Sequence, residues 1–279
     1  YVNSGNGNGE SIAGVISVML ENIGGKEFSV TKKESLKNVL LGECNALQAQ
    51  KYVRKFGIPD VPCCVYVVYS QGGSIDDVID FLENFKSNTR DLVVATDEIS
   101  CAYVRFQDGS SQENDFQSLT DYAYLMAQSV EEELGIKVKI GVGGTSGSFS
   151  DSAVSYKQAT IAVRMSGMFE IKTLVATYKD YVFIKMLEDL PKYKLEEFLN
   201  VLSEPETKSV FADPEMLETA SEFLKANLNV SEASRNLYMH RNTLMYRLDK
   251  IEKSTGLDIR KFQDAMTFRL MTILYKLLG

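Results

Sequence analysis

Seven consecutive residues, "CCVYVVY" at 63–69, constrain the fold of this chain more than any other stretch. The run is β-branched and aromatic, short, and unbroken by a charge, which is the pattern of a buried strand. Side chains alternate along a strand, so Cys63 and Cys64 point to opposite faces. With Cys44 and Cys101 they show no C-x-x-C spacing. Reduced cysteines buried in a cytoplasmic protein fit this better than a disulfide framework. Metal ligation is not expected, since thiolate pairs at zinc spacing are absent and the chain has one histidine.

Around that strand the periodicities alternate. Residues 31–56 are helical in pattern with a break near Gly42, and "GIPDVP" ends them. "SIDDVIDFLENF" places Ile75, Val78, Ile79, Leu82 and Phe85 on one helix face, with Ser74 as N-cap. "DLVVAT" and "SCAYVRF" read as two strands of a hairpin around "DEI". A helix over 119–134 follows, then the alternating strand "IKVKIGVG". The glycines of "GVGGTSG" (141–147) are expected to form a loop before the next helix, which Ser150 or Asp151 caps and Gly167 stops. The order predicts an α+β, palm-like βαββαβ domain with helices packed on one face of the sheet.

The domain reading is a flexible segment at 1–29, the sheet domain at 30–180, a helical connector and linker at 181–214, and an all-α module at 215–279. The start at Tyr1, followed by "VNSGNGNGE", is taken as a piece of a longer protein. No apolar run approaches the roughly 20 residues that span a bilayer, so no membrane association is expected.

Charge divides along the same line. Residues 1–214 carry 20 Lys and Arg against 30 Asp and Glu, whereas 215–279 carry 10 against 8. An acidic body with a mildly basic end directs attention to the C-terminal module. There "NVSEASRNLYMHRNTLMYRLDKI" predicts two short helices. Ser231 caps the first, with Ala233 and Leu237 inward; a turn falls at Tyr238–Met239; Leu244, Leu248 and Ile251 of the second face the core. This is helix-turn-helix geometry. The outward face then carries Arg241, Asn242, Met245, Tyr246 and Lys250, flanked by Thr243 and Arg247. These groups reach phosphates and base edges in a major groove. His240 sits at the start of the second helix, suited to capping or to a phosphate contact, and no partner marks it as catalytic.

"HRNTLMYRLDKIEKSTGLDI" (240–259) resembles the C-terminal helix-turn-helix of the PucR/CdaR family of bacterial transcriptional regulators, whose pattern runs H-R-N-T-(L/V)-x-Y-R-L followed by T-G-x-D. It is similar, more loosely, to the Fis-type DNA-binding end. "LKNVLLGECNALQAQKYVRKFGI" and the βαββαβ region resemble that family's GGDEF-like middle domain. The resemblance implies a sequence-specific regulator of a metabolic operon that answers a small-molecule signal. Its partners would be double-stranded DNA, a second copy as homodimer, and an effector, with no cofactor. The DNA-binding residues expected are Ser231, His240, Arg241, Asn242, Thr243, Tyr246, Arg247 and Lys250. The alternative is a ligand-sensing or protein-interaction module built on the same palm-like domain.

Cyclase chemistry is not expected of that domain. In the stretch corresponding to the G-G-(D/E)-E-F hairpin, "ATDEIS", Ala95 and Thr96 replace both glycines. The first strand ends in Tyr69 and Ser70 where a metal-binding aspartate would stand. Two-metal phosphoryl transfer without its carboxylates fails, so Asp97 and Glu98 read as turn residues. "GVGGTSG" lacks both the G-K-(S/T) ending of a phosphate-binding loop and the G-x-G-x-x-G spacing.

Overall fold

The computed structural model describes residues 31–86, 88–107, 116–169 and 173–279. The segment read as flexible, 1–29, lies outside them. The chain divides into two units, one ending at Asp180 and the other spanning Tyr181–Gly279.

In the first unit the order is α1 (Lys32–Leu41), α2 (Ala46–Phe56), β1 (Cys63–Ser70), α3 (Ile75–Phe85), β2 (Leu92–Ala95), β3 (Ser100–Phe106), α4 (Phe116–Leu134), β4 (Val138–Ser146), α5 (Ser152–Met168) and β5 (Val175–Thr177). The break expected near Gly42 is the left-handed C-cap of α1, φ 71°. The sheet runs β2-β3-β1-β4-β5. β1 lies at its centre, antiparallel to β3 and β4, and β5 joins the far edge parallel to β4.

Cys63 and Cys64 diverge as alternation requires, and they enter separate cores. Cys64, Tyr66 and Val68 pack with Val78 and Leu82 of α3 and Ala123, Met126 and Val130 of α4. Cys63, Val65 and Val67 pack with α1, α2 and Ala159 of α5. Helices therefore cover both faces, which corrects the one-sided arrangement expected. A strand whose first six residues are all buried cannot have a wet side. Burial pushes the thiols of Cys63, Cys64 and Cys101 up to about 12, leaving them protonated and unreactive.

The glycines at 141–144 lie in β4, not in a loop. A Cβ on Gly141 would sit 2.1 Å from the Ala159 carbonyl oxygen, and one on Gly143 equally close to that of Ser155. The bare backbone thus lets α5 lie directly on the strand. Register shifts here between Cys64 and Tyr66. Polar side chains of α5 satisfy the backbone beside this irregularity: Val65 N–H donates to Ser155 Oγ at 2.9 Å, and Gly144 N–H to Gln158 Oε1 at 2.8 Å. α5 also continues through Gly167, the expected stop, to Met168.

Asp97 organises the β2–β3 hairpin. Its carboxylate accepts from Ile99 N–H at 2.9 Å and from Ser100 Oγ at 2.6 Å. That is the local bonding of an Asx turn. Among the described residues no group of three or more His, Cys, Asp or Glu is placed to hold a metal ion. No helix among them is long and apolar enough to cross a membrane.

The second unit is helical. α6 (Tyr178–Glu188) crosses the division, followed by α7 (Lys192–Leu202), α8 (Thr207–Phe211), α9 (Pro214–Lys225), α10 (Val230–Asn236), α11 (Arg241–Thr255) and α12 (Phe262–Leu278). The stretch 203–214, expected as a linker, folds in part: Val210 of α8 joins the core. α12 buries Ala265, Phe268, Met271 and Leu274, while Phe262 and Met266 are 69% and 54% exposed.

Candidate nucleic-acid interface

The module around α10 and α11 is built from one core. Met216, Ala220 and Phe223 of α9, Ala233 of α10, Leu244, Leu248 and Ile251 of α11, and Ala265 and Phe268 of α12 pack together. The three α11 residues fall at i, i+4 and i+7, which fixes one face inward and leaves the rest to solvent. Leu237 is only partly buried at the end of α10.

Caps set the helix starts. Asp213 caps α9, accepting from Glu215 and Met216 N–H, with Pro214 in the first turn. α10 is capped by Asn229, whose Oδ1 accepts from Ser231 and Glu232 N–H at 3.0 and 3.1 Å. This corrects the expectation that Ser231 is the cap: Ser231 lies inside the first turn, exposed, and is itself capped. His240 is the N-cap of α11, its Nδ1 accepting from Asn242 N–H at 3.2 Å. An accepting Nδ1 places the proton of the neutral ring on Nε2, which leaves Nε2–H as a donor on an exposed side chain. Gly256, φ 71°, closes α11.

The exposed side of α11 presents Arg241, Asn242, Thr243, Tyr246 and Lys250, with Met245 half-buried. Arg247 is tied down. Its Nη2 lies 2.9 Å from Glu215 Oε2, and its Nη1 donates to Thr219 Oγ1 at 3.0 Å. Lys250 stands 3.7 Å from Asp213. Arg260 is bonded to Asp249, Glu252 and Asp258, which fastens the "TGLD" turn beneath α11. Arg241 has no acidic partner among the described residues. It also stands at the positive end of a helix dipole, where a cation is disfavoured. The first turns of α9, α10 and α12, its neighbours in this module, each carry an acidic residue, whereas that of α11, like those of α2, α4, α5, α7 and α8, carries none.

Comparison with known proteins bears on this surface. A model of the PucR C-terminal helix-turn-helix domain matches residues 216–274. The purine catabolism regulatory protein of Bacillus subtilis is 25% identical over 142 residues, 51% of this chain and 27% of that protein. The DNA-binding transcriptional activator AdeR of the same organism is 23% identical over 211 residues, 74% of this chain and 50% of the relative. The matches thus span about a quarter to a half of these relatives. A solved regulator of polyketide synthase expression from Bifidobacterium adolescentis aligns with 87% of the chain and 91% of its own at 13% identity, TM-score 0.41. Residues 216–274 thus form a helix-turn-helix domain of the PucR C-terminal type.

Proposed function

We propose that the chain is a sequence-specific DNA-binding regulator whose α11 enters the major groove as recognition helix. The first turn of α11 carries this reading. There Arg241, without an acidic partner among the described residues, adds a cation to the positive end of the helix dipole, and both attract a polyanionic duplex. Arg241 and Asn242 are assigned base-edge contacts, as residues at the start of such a helix reach furthest into the groove. Ser231, His240 through Nε2–H, Thr243, Tyr246 and Lys250 are assigned phosphate contacts. Arg247 holds α11 against α9, which positions the others.

One such module covers a single half-site. The reading therefore includes a homodimer on paired half-sites about 34 Å apart. It also includes control of a metabolic operon in the cytoplasm in response to a small molecule. The names of the purine catabolism regulator and of the activator AdeR support this assignment. The test is a fluorescence-anisotropy titration of the chain with a labelled random-sequence duplex across salt concentrations. Parent protein should bind with a steep inverse salt dependence, and Lys250→Ala, which removes a phosphate contact, should lower the slope of log K against log salt by about 1. Salt-independent binding, or none at low salt, contradicts the reading. Thermal stabilisation by members of a metabolite panel tests the effector separately.

A further inference from the structure

Three described residues other than glycine hold a left-handed backbone: Asn227, Leu228 and Tyr238, at φ 52°, 64° and 51°. Such a φ crowds Cβ against the chain, so a bulky residue there needs a compensating contact. Leu228 has one, since its side chain packs on the C-terminal core. Asparagine tolerates this region better than most residues. Tyr238 has neither excuse. Its side chain is 98% exposed.

The backbone at Tyr238 closes a Schellman turn after α10. Tyr238 N–H donates to the Arg235 carbonyl at 3.1 Å, and Met239 N–H to that of Ser234 at 3.0 Å. Glycine is the usual residue at the left-handed position of this motif. Among the described residues this chain uses left-handed glycine at the helix ends Gly42, Gly57, Gly135 and Gly256. At 238 it holds instead an exposed phenol in an unfavourable conformation, two residues before His240 and three before Arg241. Backbone strain that the fold does not use concentrates at functional sites.

We infer that Tyr238 is a DNA-contacting residue whose hydroxyl donates to a backbone phosphate at the rim of the groove entered by α11. This rests on the DNA-binding reading above and adds a position to it. A phosphate is favoured over a base because the turn precedes the helix, whose own first residues take the base edges. Such a contact orients the protein and carries no sequence information.

The test measures melting temperature and duplex affinity of the full chain for Tyr238→Gly and Tyr238→Phe, with Arg241→Ala as reference. Two labelled duplexes are used, one of random sequence at low salt and one recovered by selection from a randomised pool. Tyr238→Gly is expected to melt about 2–4 °C higher and to bind both duplexes about tenfold more weakly. Tyr238→Phe should melt like the parent and lose about fivefold on both, the worth of one hydrogen bond. A glycine variant with parental affinity overturns the inference, as does one that melts lower, which makes the ring structural. Loss confined to the selected duplex overturns the phosphate assignment. If the parent binds neither duplex, the DNA-binding reading fails as well. If the parent binds and Arg241→Ala weakens it while the Tyr238 variants do not, the inference alone fails.

Discussion

Arg247 and Glu215 meet at 2.9 Å between α11 and α9, and the same guanidinium donates to Thr219 Oγ1, a residue with no solvent exposure. The residue that sequence alone places on the DNA-facing side is thus also a brace of the helix-turn-helix. The two outward arginines of the motif consequently separate by what they touch.

Replacing Arg247 by alanine should lower unfolding stability by about 1 kcal/mol. Most of that comes from the Thr219 bond and the buried stem, since Glu215 is largely exposed and its ion pair is screened. Arg241→Ala should change stability by less than about 0.5 kcal/mol. Urea unfolding of both variants, beside their duplex affinities, tests this split. Equal destabilisation by the two would contradict it.

At the start of α11, His240→Ala should cost about 1 kcal/mol, because the Asn242 amide loses its acceptor. His240→Asn should restore that stability, asparagine being at least as good a cap. The Nε2–H donor is lost in both. Their affinities for a duplex should therefore fall alike while their stabilities differ. Calorimetric melting and anisotropy separate the two roles, and equal stability of the variants would remove the cap from the account.

On β4, Gly143→Ala should destabilise the first unit by about 3 kcal/mol or more. Its Cβ would lie 2.1 Å from the Ser155 carbonyl oxygen, with backbone on both sides of the clash. Gly147→Ala meets nothing within 4 Å and should be close to neutral. Denaturant midpoints for the pair check this, and a tolerated Gly143→Ala would show that α5 can lift from the sheet.

Asp91 supplies a pH test. It is buried, accepting from Tyr103 Oη at 2.9 Å and Phe106 N–H at 3.0 Å. Burial raises its carboxyl above the usual aspartate range, and the two hydrogen bonds only partly offset this. The folded state therefore binds this proton more readily than the unfolded chain. Stability from this group is present below the ordinary aspartate value and declines as pH rises through the raised, folded-state value. Asp91→Asn should remove that decline. Urea midpoints of parent and variant from pH 3 upward, in steps, would show whether their difference changes in that direction; a difference that grows the other way contradicts the raised value.

How much of this was legible beforehand depended on the physics behind each feature. Leu244, Leu248 and Ile251 set the inward face of α11 by spacing alone, and the structure buries all three. Asn229 was missed as a cap because Ser231, two residues on, is an equally good cap type. Only the helix start, one residue earlier than Ser231, decides between them. β5 has three residues, too few to show alternation, and exists because β4 offers it a parallel edge. The two-sided sheet was readable in principle, since an unbroken run such as "CCVYVVY" has no polar face to give to water. The glycines of β4 could not be placed without knowing that α5 presses on them. Arg247 looked outward because periodicity sees one helix at a time, and Glu215 approaches from another.

The most direct measurement is selection of bound duplexes from a randomised DNA pool at near-physiological salt, with parent chain and Arg241→Ala in parallel. The account predicts that the parent enriches a motif repeated at about one helical turn or a multiple of it, and that the variant loses that enrichment. Enrichment of no motif by the parent, or of the same motif with equal strength by Arg241→Ala, would contradict it.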